Sequence, residues 1–459
     1  MTFHMFPAKT YADRRAALMA AIGKGVILIK GNGYCPINYS GNHYRFRQDS
    51  TFLYYGGVDL PGLDLIMDID NSRVILYGDE QTLSDQIWSG ARETLHALAA
   101  QAGITEVRPS GNLSPDYAHS EILCLPPYRT EHFETLQKIN EHADCSVVPS
   151  LPLIRAVIAQ REIKTTEEIG QMEEALAITA EMHVRVMKSA KPGIREAVLT
   201  GIAEGIALAN ECLMAYGTIL TKHGETLHNE YYGNILQDGD LVLGDFGSES
   251  RMHYASDITR TFPVSKTFTA QQKALYELVL QSQEKAIAAM KPGVLFRDIH
   301  LDVARTLTEG LIALGLMQGD VEEAVAAGAH ALFFPHGLGH MIGFDVHDME
   351  GLGEDHVGYD DQVVRSDQFG LAYLRMGKGL RPGHVITVEP GLYFIPALIA
   401  SWKEAGKHSA FINYAALDPY TGFGGIRIED NVLVTEKGHR ILGPGIPKSV
   451  KEVEALRSG

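Results

Sequence analysis

Hydrophobic and polar positions divide the chain into two stretches with different rhythms. From Tyr11 to about Pro152, short β-rich runs such as "GVILIKG" (25–31) and "RVILYGD" (73–79) alternate with helical stretches such as "SDQIWSGARETLHALAAQAG" (84–103). That alternation predicts an α/β domain. Beyond it, "AQREIKTTEEIGQMEEALAITAEMHVRVMKSAKPG" opens with charge and continues with apolar residues at helical spacing, Ile169, Met172 and Leu176 among them. Thr165 and Glu168 read there as a capping box, in which two side chains satisfy free N–H groups at a helix start. A second domain is expected to begin near Ile158, giving boundaries of 1–157 and 158–459.

The second stretch carries an internal repeat. "KPGIREAVLTGIAEGIA" from Lys191 recurs in character as "KPGVLFRDIHLDVARTL" from Lys291: a Lys-Pro-Gly turn, then an amphipathic helix. The better pair is "LQDGDLVLGDFG" from Leu236 and "LRPGHVITVEPG" from Leu380, each a turn glycine, a strand, an acid, one residue and a glycine. Asp245 falls on Glu389 in this pairing. Two similar halves would each bring one carboxylate to the same place on a strand, and duplication is the expectation.

Composition narrows the class of protein. A chain of 459 residues has room for two or three domains at about 150 residues each, and two are expected. Apolar residues at 45% and charged residues at 21% fit a soluble globular chain with a large core. Forty Lys and Arg against 57 Asp and Glu give a net charge of -17, and no dense basic run appears. That argues against a nucleic-acid or anionic-membrane partner. "MTFHMFPAKTYADRR" has no apolar signal-like core, and no stretch approaches the ~18 apolar residues of a membrane span. A cytoplasmic location is expected. Cys35, Cys124, Cys145 and Cys212 are scattered without metal spacing and read as reduced thiols.

Four acids then stand out because they sit in or at the end of strand-like runs: Asp245 in "LVLGD", Asp257 in "ASDITRTF", Glu389 in "HVITVE" and Glu429 in "GGIRIEDNVLV". A lone acid of this kind is ordinarily a surface residue. Four, with a Gly-rich histidine loop between the second and third, need compensation by pairing, hydrogen bonds or metal. Carboxylates with one imidazole form a hard, oxygen-rich set that suits Mn(II) or a comparable ion. One ion does not need four carboxylates, whereas two divalent cations would neutralise the cluster and lower the pKa of a water between them. Hydrolysis is the reaction such equipment favours.

The histidine loop is "HGLGHMIGFDVHD" (336–348). His336 and His340 have the spacing of HExxH zinc peptidases, but the acid of that motif is absent and Gly337 and Gly339 make a helix poor. A strand or loop is expected, where the histidines need not share one ion.

"LGDFG", "ASDITRTFP", "PHGLGHMIGFDVHD", "TVEPGLYF" and "GGIRIEDNVLVTEKG" resemble, in order and content, the five metal-site motifs of the pita-bread metallopeptidases. Within them the chain looks like the proline-specific branch, aminopeptidase P and prolidase, and "RFRQDSTFLYYGGVDLPG" resembles that branch's N-terminal domain. The fold class implied is α/β (α+β), an N-terminal α/β domain before a pita-bread catalytic domain with an internal pseudo-two-fold repeat. The resemblance implies the metal ligands Asp245, Asp257, His340, Glu389 and Glu429, with Asp257 and Glu429 shared by two divalent ions. Mn(II) is the first expectation, Co(II) or Zn(II) the alternatives. His228, His336 and His347 resemble substrate-side histidines, Glu389 the proton shuttle, and Arg427 a partner that orients a carboxylate. Asp348 is expected to orient His347. A homodimer or higher oligomer is implied. The interval from Asp245 to Asp257 is 257 - 245 = 12, one more than is usual in the family, so a bulge or extra residue is expected in that hairpin.

The implied substrate is a peptide with proline second, cleaved before the proline. Arg375 resembles the prolidase arginine that pairs with a dipeptide's carboxylate, and the stretch Ile395 to Thr421 also looks prolidase-like. These features tilt the reading toward an Xaa-Pro dipeptidase, with Xaa-Pro aminopeptidase as the alternative. An organophosphate hydrolase and a metal-free binding module on the same fold are the remaining readings; relatives of the latter kind lose ligand acids, whereas all five positions are filled here. The polar segment Glu350 to Lys378 is expected to form a lid.

Overall fold

The computed structural model describes residues 4–117, 121–141 and 147–459. Cys145 lies outside them. The chain divides into two compact units, Met1–Arg161 and Glu162–Gly459. Ile158 falls inside the helix Leu151–Arg161, which belongs to the first unit and carries its end four residues past the expected boundary.

The first unit is built on a six-stranded mixed sheet in the order Glu106–Arg108, Arg73–Tyr77, Asp64–Asp68, Val26–Lys30, Ile122–Cys124, Val147–Pro149. "GVILIKG" supplies a central strand, antiparallel to Asp64–Asp68 and parallel to Ile122–Cys124. Alternate residues Val26, Leu28, Ile66, Ile75, Tyr77 and Ile122 gather on one core, as the two-residue period of a strand requires. The expected helical stretch 84–103 forms two helices, Leu83–Ser89 and Leu95–Gln101. Gly90, at φ +81°, ends the first, and the Thr94 hydroxyl caps the second.

The second unit shows the repeat in its backbone. Helices Thr166–Ser189 and Ala270–Ala289 both start with capping boxes, Thr165 with Glu168 and Thr269 with Gln272. Each leads through a Lys-Pro-Gly turn into a second helix, Glu196–Ala209 or Phe296–Ala313. The turn N–H of Gly193 donates to Leu236 O and that of Gly293 to Leu380 O, both at 2.8 Å. Gly239 (φ +91°) and Gly383 (φ +90°) then start strands Leu241–Asp245 and Val385–Val388 from the same left-handed conformation, which glycine adopts without a Cβ clash.

Strand pairing decides where the acids point. Leu241–Asp245 pairs antiparallel with Thr259–Pro263, and one register runs from Leu241↔Pro263 through Asp245↔Thr259 to Glu249↔Ala255. The expected bulge is therefore not in this ladder. The ladder closes in a turn at Arg251–His253, where His253 has φ +66°. Asp257 stands two residues from Thr259, so it shares a face with Asp245. In the other half Val388 pairs with Asp430, and Glu389 and Glu429 each lie one residue beyond that pair. The N–H of Glu429 donates to Thr259 O at 3.1 Å, joining the two halves at the acids. Among the described residues no helix is long and apolar enough to cross a membrane.

Candidate active site

Asp245, Asp257, His340, Glu389, Glu429, Arg427, Arg375, His228, His336 and His347 all line one cavity of about 900 Å³ in the second unit. Every site residue expected from the sequence is therefore brought to one place. The long segments after Glu350 and Ile395 contribute Phe369, Tyr373, Leu398 and Ser401 to its wall.

"HGLGHMIGFDVHD" crosses this region as irregular chain, with one isolated bridge at Met341↔Ile386 and bends from Gly343 to His347. A Cβ on Gly339 would stand 1.9 Å from Thr387 O, so the loop reaches the strand Val385–Val388 by lacking one. The His340 N–H donates to Thr387 Oγ1 (3.0 Å), and Nδ1 bonds the Met341 carbonyl (3.0 Å). A carbonyl can only accept, so Nδ1 carries the proton and Nε2 keeps a lone pair. That Nε2 lies 3.4 Å from Asp257 Oδ2 and 3.5 Å from Glu389 Oε1. Burial pushes the ring down to about 4, keeping it neutral.

Asp257, His340 and Glu429 each offer a ligand atom within 4.8 Å of the others. Tyr216 OH stands 2.7 Å from Asp245 Oδ1 and 2.6 Å from Asp257 Oδ1. Thr259 Oγ1 donates to Glu429 Oε2 (2.7 Å), whereas Glu429 Oε1 is buried and accepts no hydrogen bond among the described residues. Burial pushes the carboxyls of Asp245, Asp257, Glu389 and Glu429 above their ordinary range, and Arg427 opposes the rise. Three buried acids, the part-buried Glu389 and an imidazole lone pair aimed among them fit divalent cations, whose charge would reverse those shifts. The atoms gathered here are carboxylate oxygens plus one imidazole nitrogen.

Other residues hold this set in place. Arg427 Nη2 donates to Asp245 Oδ2, Nε to Thr259 Oγ1 (3.2 Å) and Nη1 to Tyr393 OH (2.8 Å). Because the Tyr393 oxygen accepts from Arg427, its proton is free for His336 Nε2 at 2.8 Å, and His336 Nδ1 then donates to Gly337 O (2.8 Å). Both nitrogens of His336 thus have protein partners. Asp348, expected to orient His347, forms a buried ion pair with Lys164 at 2.9 Å; the acid within 3.6 Å of His347 Nδ1 is Glu350. Burial and His340 push His347 down to about 3. Tyr216, Tyr393, Thr259 and Glu350 were not foreseen. Tyr393 sits inside the quoted motif "TVEPGLYF" and had a signal; Tyr216, in a loop before Ile219–Thr221, had none.

Residues 170–436 match the family "Metallopeptidase family M24", and residues 11–120 match "Aminopeptidase P, N-terminal domain". The chain belongs to metallopeptidase family M24. It is 33% identical to the human protein named Xaa-Pro dipeptidase over 426 residues, covering 90% of this chain and 85% of that one. A Fusarium vanettenii protein named "Probable Xaa-Pro aminopeptidase" is 31% identical over 471 residues, 99% of this chain and 97% of its own length. Among solved structures, Pseudomonas aeruginosa aminopeptidase PepP superposes with a TM-score of 0.83 at 28% identity, covering 99% and 98% of the two chains. Zinc-substituted Escherichia coli aminopeptidase P in complex with product gives 0.82 at 27%, covering 99% of each.

Proposed function

We propose that the chain is a metal-dependent exopeptidase that hydrolyses the bond between an N-terminal residue and a following proline. The observation that carries this reading is the gathering of Asp257, Glu389 and Glu429 about His340, with Asp245 joined to Asp257 through Tyr216, opening onto a cavity large enough for a short peptide. The names of the human and fungal relatives support the choice of bond. An Xaa-Pro bond has no N–H and a fixed proline φ, so a dedicated pocket serves it better than strand-like backbone pairing.

Asp245, Asp257, His340, Glu389 and Glu429 would hold two divalent ions, Mn(II) first among the candidates. Such ions supply Lewis acidity and lower the pKa of the attacking water. Glu389, oriented by the Thr387 hydroxyl at 3.3 Å, is the carboxylate that would accept a proton and deliver it to the proline nitrogen. His347, neutral and facing the cavity, stabilises charge on the carbonyl oxygen. His228 and His336 border the substrate, His336 by fixing Tyr393, while Arg427 holds Asp245. Arg375 lies on the cavity wall, and its pairing bears on whether a dipeptide's free carboxylate is accepted. Four cysteines, few and scattered along the chain, support a reducing, cytoplasmic setting.

Steady-state assays of Ala-Pro and Ala-Pro-Ala, with Mn(II) and after chelation, test the reading. Release of alanine that disappears on chelation and returns with Mn(II) is expected. Undiminished activity after thorough metal removal sinks the metal mechanism, and inactivity on both peptides with metal sinks the substrate class.

A further inference from the structure

Arg375 is not a free cation waiting for an anion. Its Nη1 contacts Glu350 Oε2 and, at 3.0 Å, Glu354 Oε1. Glu354 also pairs with Arg365 at 2.9 Å, and Arg365 with Asp355 at 2.6 Å. Three carboxylates thus share two guanidinium groups. Glu350 is the one turned inward: its side chain is 12% exposed, against 40% for Glu354, and its Oε2 is 3.6 Å from His347 Nδ1. Met349, just before it, is buried at φ +64°, a conformation that is rare for a side chain of this kind. Such local strain persists where surrounding contacts impose it, and here it turns Glu350 toward two residues that border the cavity.

We propose that Glu350 is a specificity-determining residue that compensates Arg375 and so disfavours a free carboxylate at the second residue of the substrate. The inference rests on the proposed Xaa-Pro exopeptidase activity and names its substrate class: peptides that continue past the proline. A dipeptide brings a third carboxylate to a guanidinium that already has two, in a part-buried site where like charges repel strongly. A longer peptide carries an amide at the same place and meets no such repulsion. Burial pushes the Glu350 carboxyl up to about 7, with Arg375 opposing the rise and Glu354 adding to it, so the comparison is made well above that pH, where Glu350 carries its charge.

The test compares KM for Ala-Pro with KM for Ala-Pro-Ala amide, using the metal-loaded full chain and its Glu350→Gln variant. A ratio of the two that falls about tenfold in E350Q is expected, because one like charge is removed near the dipeptide carboxylate alone. A general structural defect would move both KM values and leave the ratio in place. Glu354→Gln, on the more exposed acid at the same nitrogen, is expected to lower the ratio in the same direction and stands in should E350Q fail to fold. A ratio that stays level or rises overturns the inference. If the unaltered chain cleaves neither peptide, the proposed activity itself fails and the inference with it; activity with an unmoved ratio sinks the inference alone.

Discussion

Arg427 and Asp245, 182 positions apart in the chain, form an ion pair of 2.5 Å in which both side chains are nearly excluded from solvent. The same guanidinium also reaches Thr259 and Tyr393, so one side chain from strand Gly425–Arg427 ties both halves of the repeat to the acids. Its charge offsets part of a cluster that otherwise holds three buried carboxylates and the part-buried Glu389.

Arg427→Met should therefore destabilise the chain most when metal is absent. Removing one partner of a buried pair leaves the other uncompensated, a loss of about 3–5 kcal/mol. Divalent cations at the acids would replace part of that charge and shrink the loss. Urea denaturation of both proteins, in chelator and in excess Mn(II), measures this. Equal destabilisation in the two conditions would show that Arg427 and the metal do not act on the same charges.

His340→Ala should weaken metal binding, since Nε2 is the imidazole lone pair aimed at Asp257 and Glu389. Lesser changes around metal sites already cost about 10–100-fold in affinity, and loss of a direct ligand should cost at least that. Calorimetric titration with Mn(II) reads it directly. An affinity within twofold of the unaltered chain would remove His340 from the ligand set.

The acids were legible in the sequence because each interrupts a β-branched run, and a charge in such a run demands a partner. The repeat was legible for a related reason: Gly239 and Gly383 are turn glycines whose left-handed backbone is written in their residue type. What stayed hidden depends on contacts across the chain. Asp348 and Glu350 sit two positions apart, yet Lys164 takes one and Arg375 the other, and spacing cannot say which acid meets which cation. Tyr216 joins Asp245 to Asp257 from a loop without periodicity. The break at Gly90 was missed because helical spacing continues across it, although the glycine and the Thr94 cap mark the ends.

His347→Ala should do the opposite of His340→Ala. The ring packs edge-on against His340 at 4.3 Å but takes no part in the group of ligand atoms, so metal affinity should stay within about threefold. Loss of a group that stabilises charge on the carbonyl should lower kcat by about 10²–10³-fold. A variant that loses metal and turnover together would move His347 from the substrate to the ligand set.

His300 and His330 set a pH dependence of stability that is independent of catalysis. Both are buried, neither ring nitrogen of either has a hydrogen-bond partner among the described residues, and burial pushes them down to about 3 and about 4. Unfolded, each returns to an ordinary value near 6.5. Between those values the unfolded chain binds more protons, so acid favours unfolding. Each histidine's contribution is fully present above about pH 6.5 and is lost at about 1.4 kcal/mol per pH unit as the pH falls toward its folded value. The buried carboxylates, raised in the folded state, act in the reverse direction, so the net profile alone does not isolate the histidines. Comparison with His300→Leu does. Leucine keeps the volume roughly and removes two unpartnered nitrogens, and the variant should gain about 1.4 kcal/mol relative to the unaltered chain between about pH 7.5 and about pH 5.5. Urea unfolding in chelator at the two pH values measures the gain, and a difference that stays constant across that range would mean His300 is not held neutral.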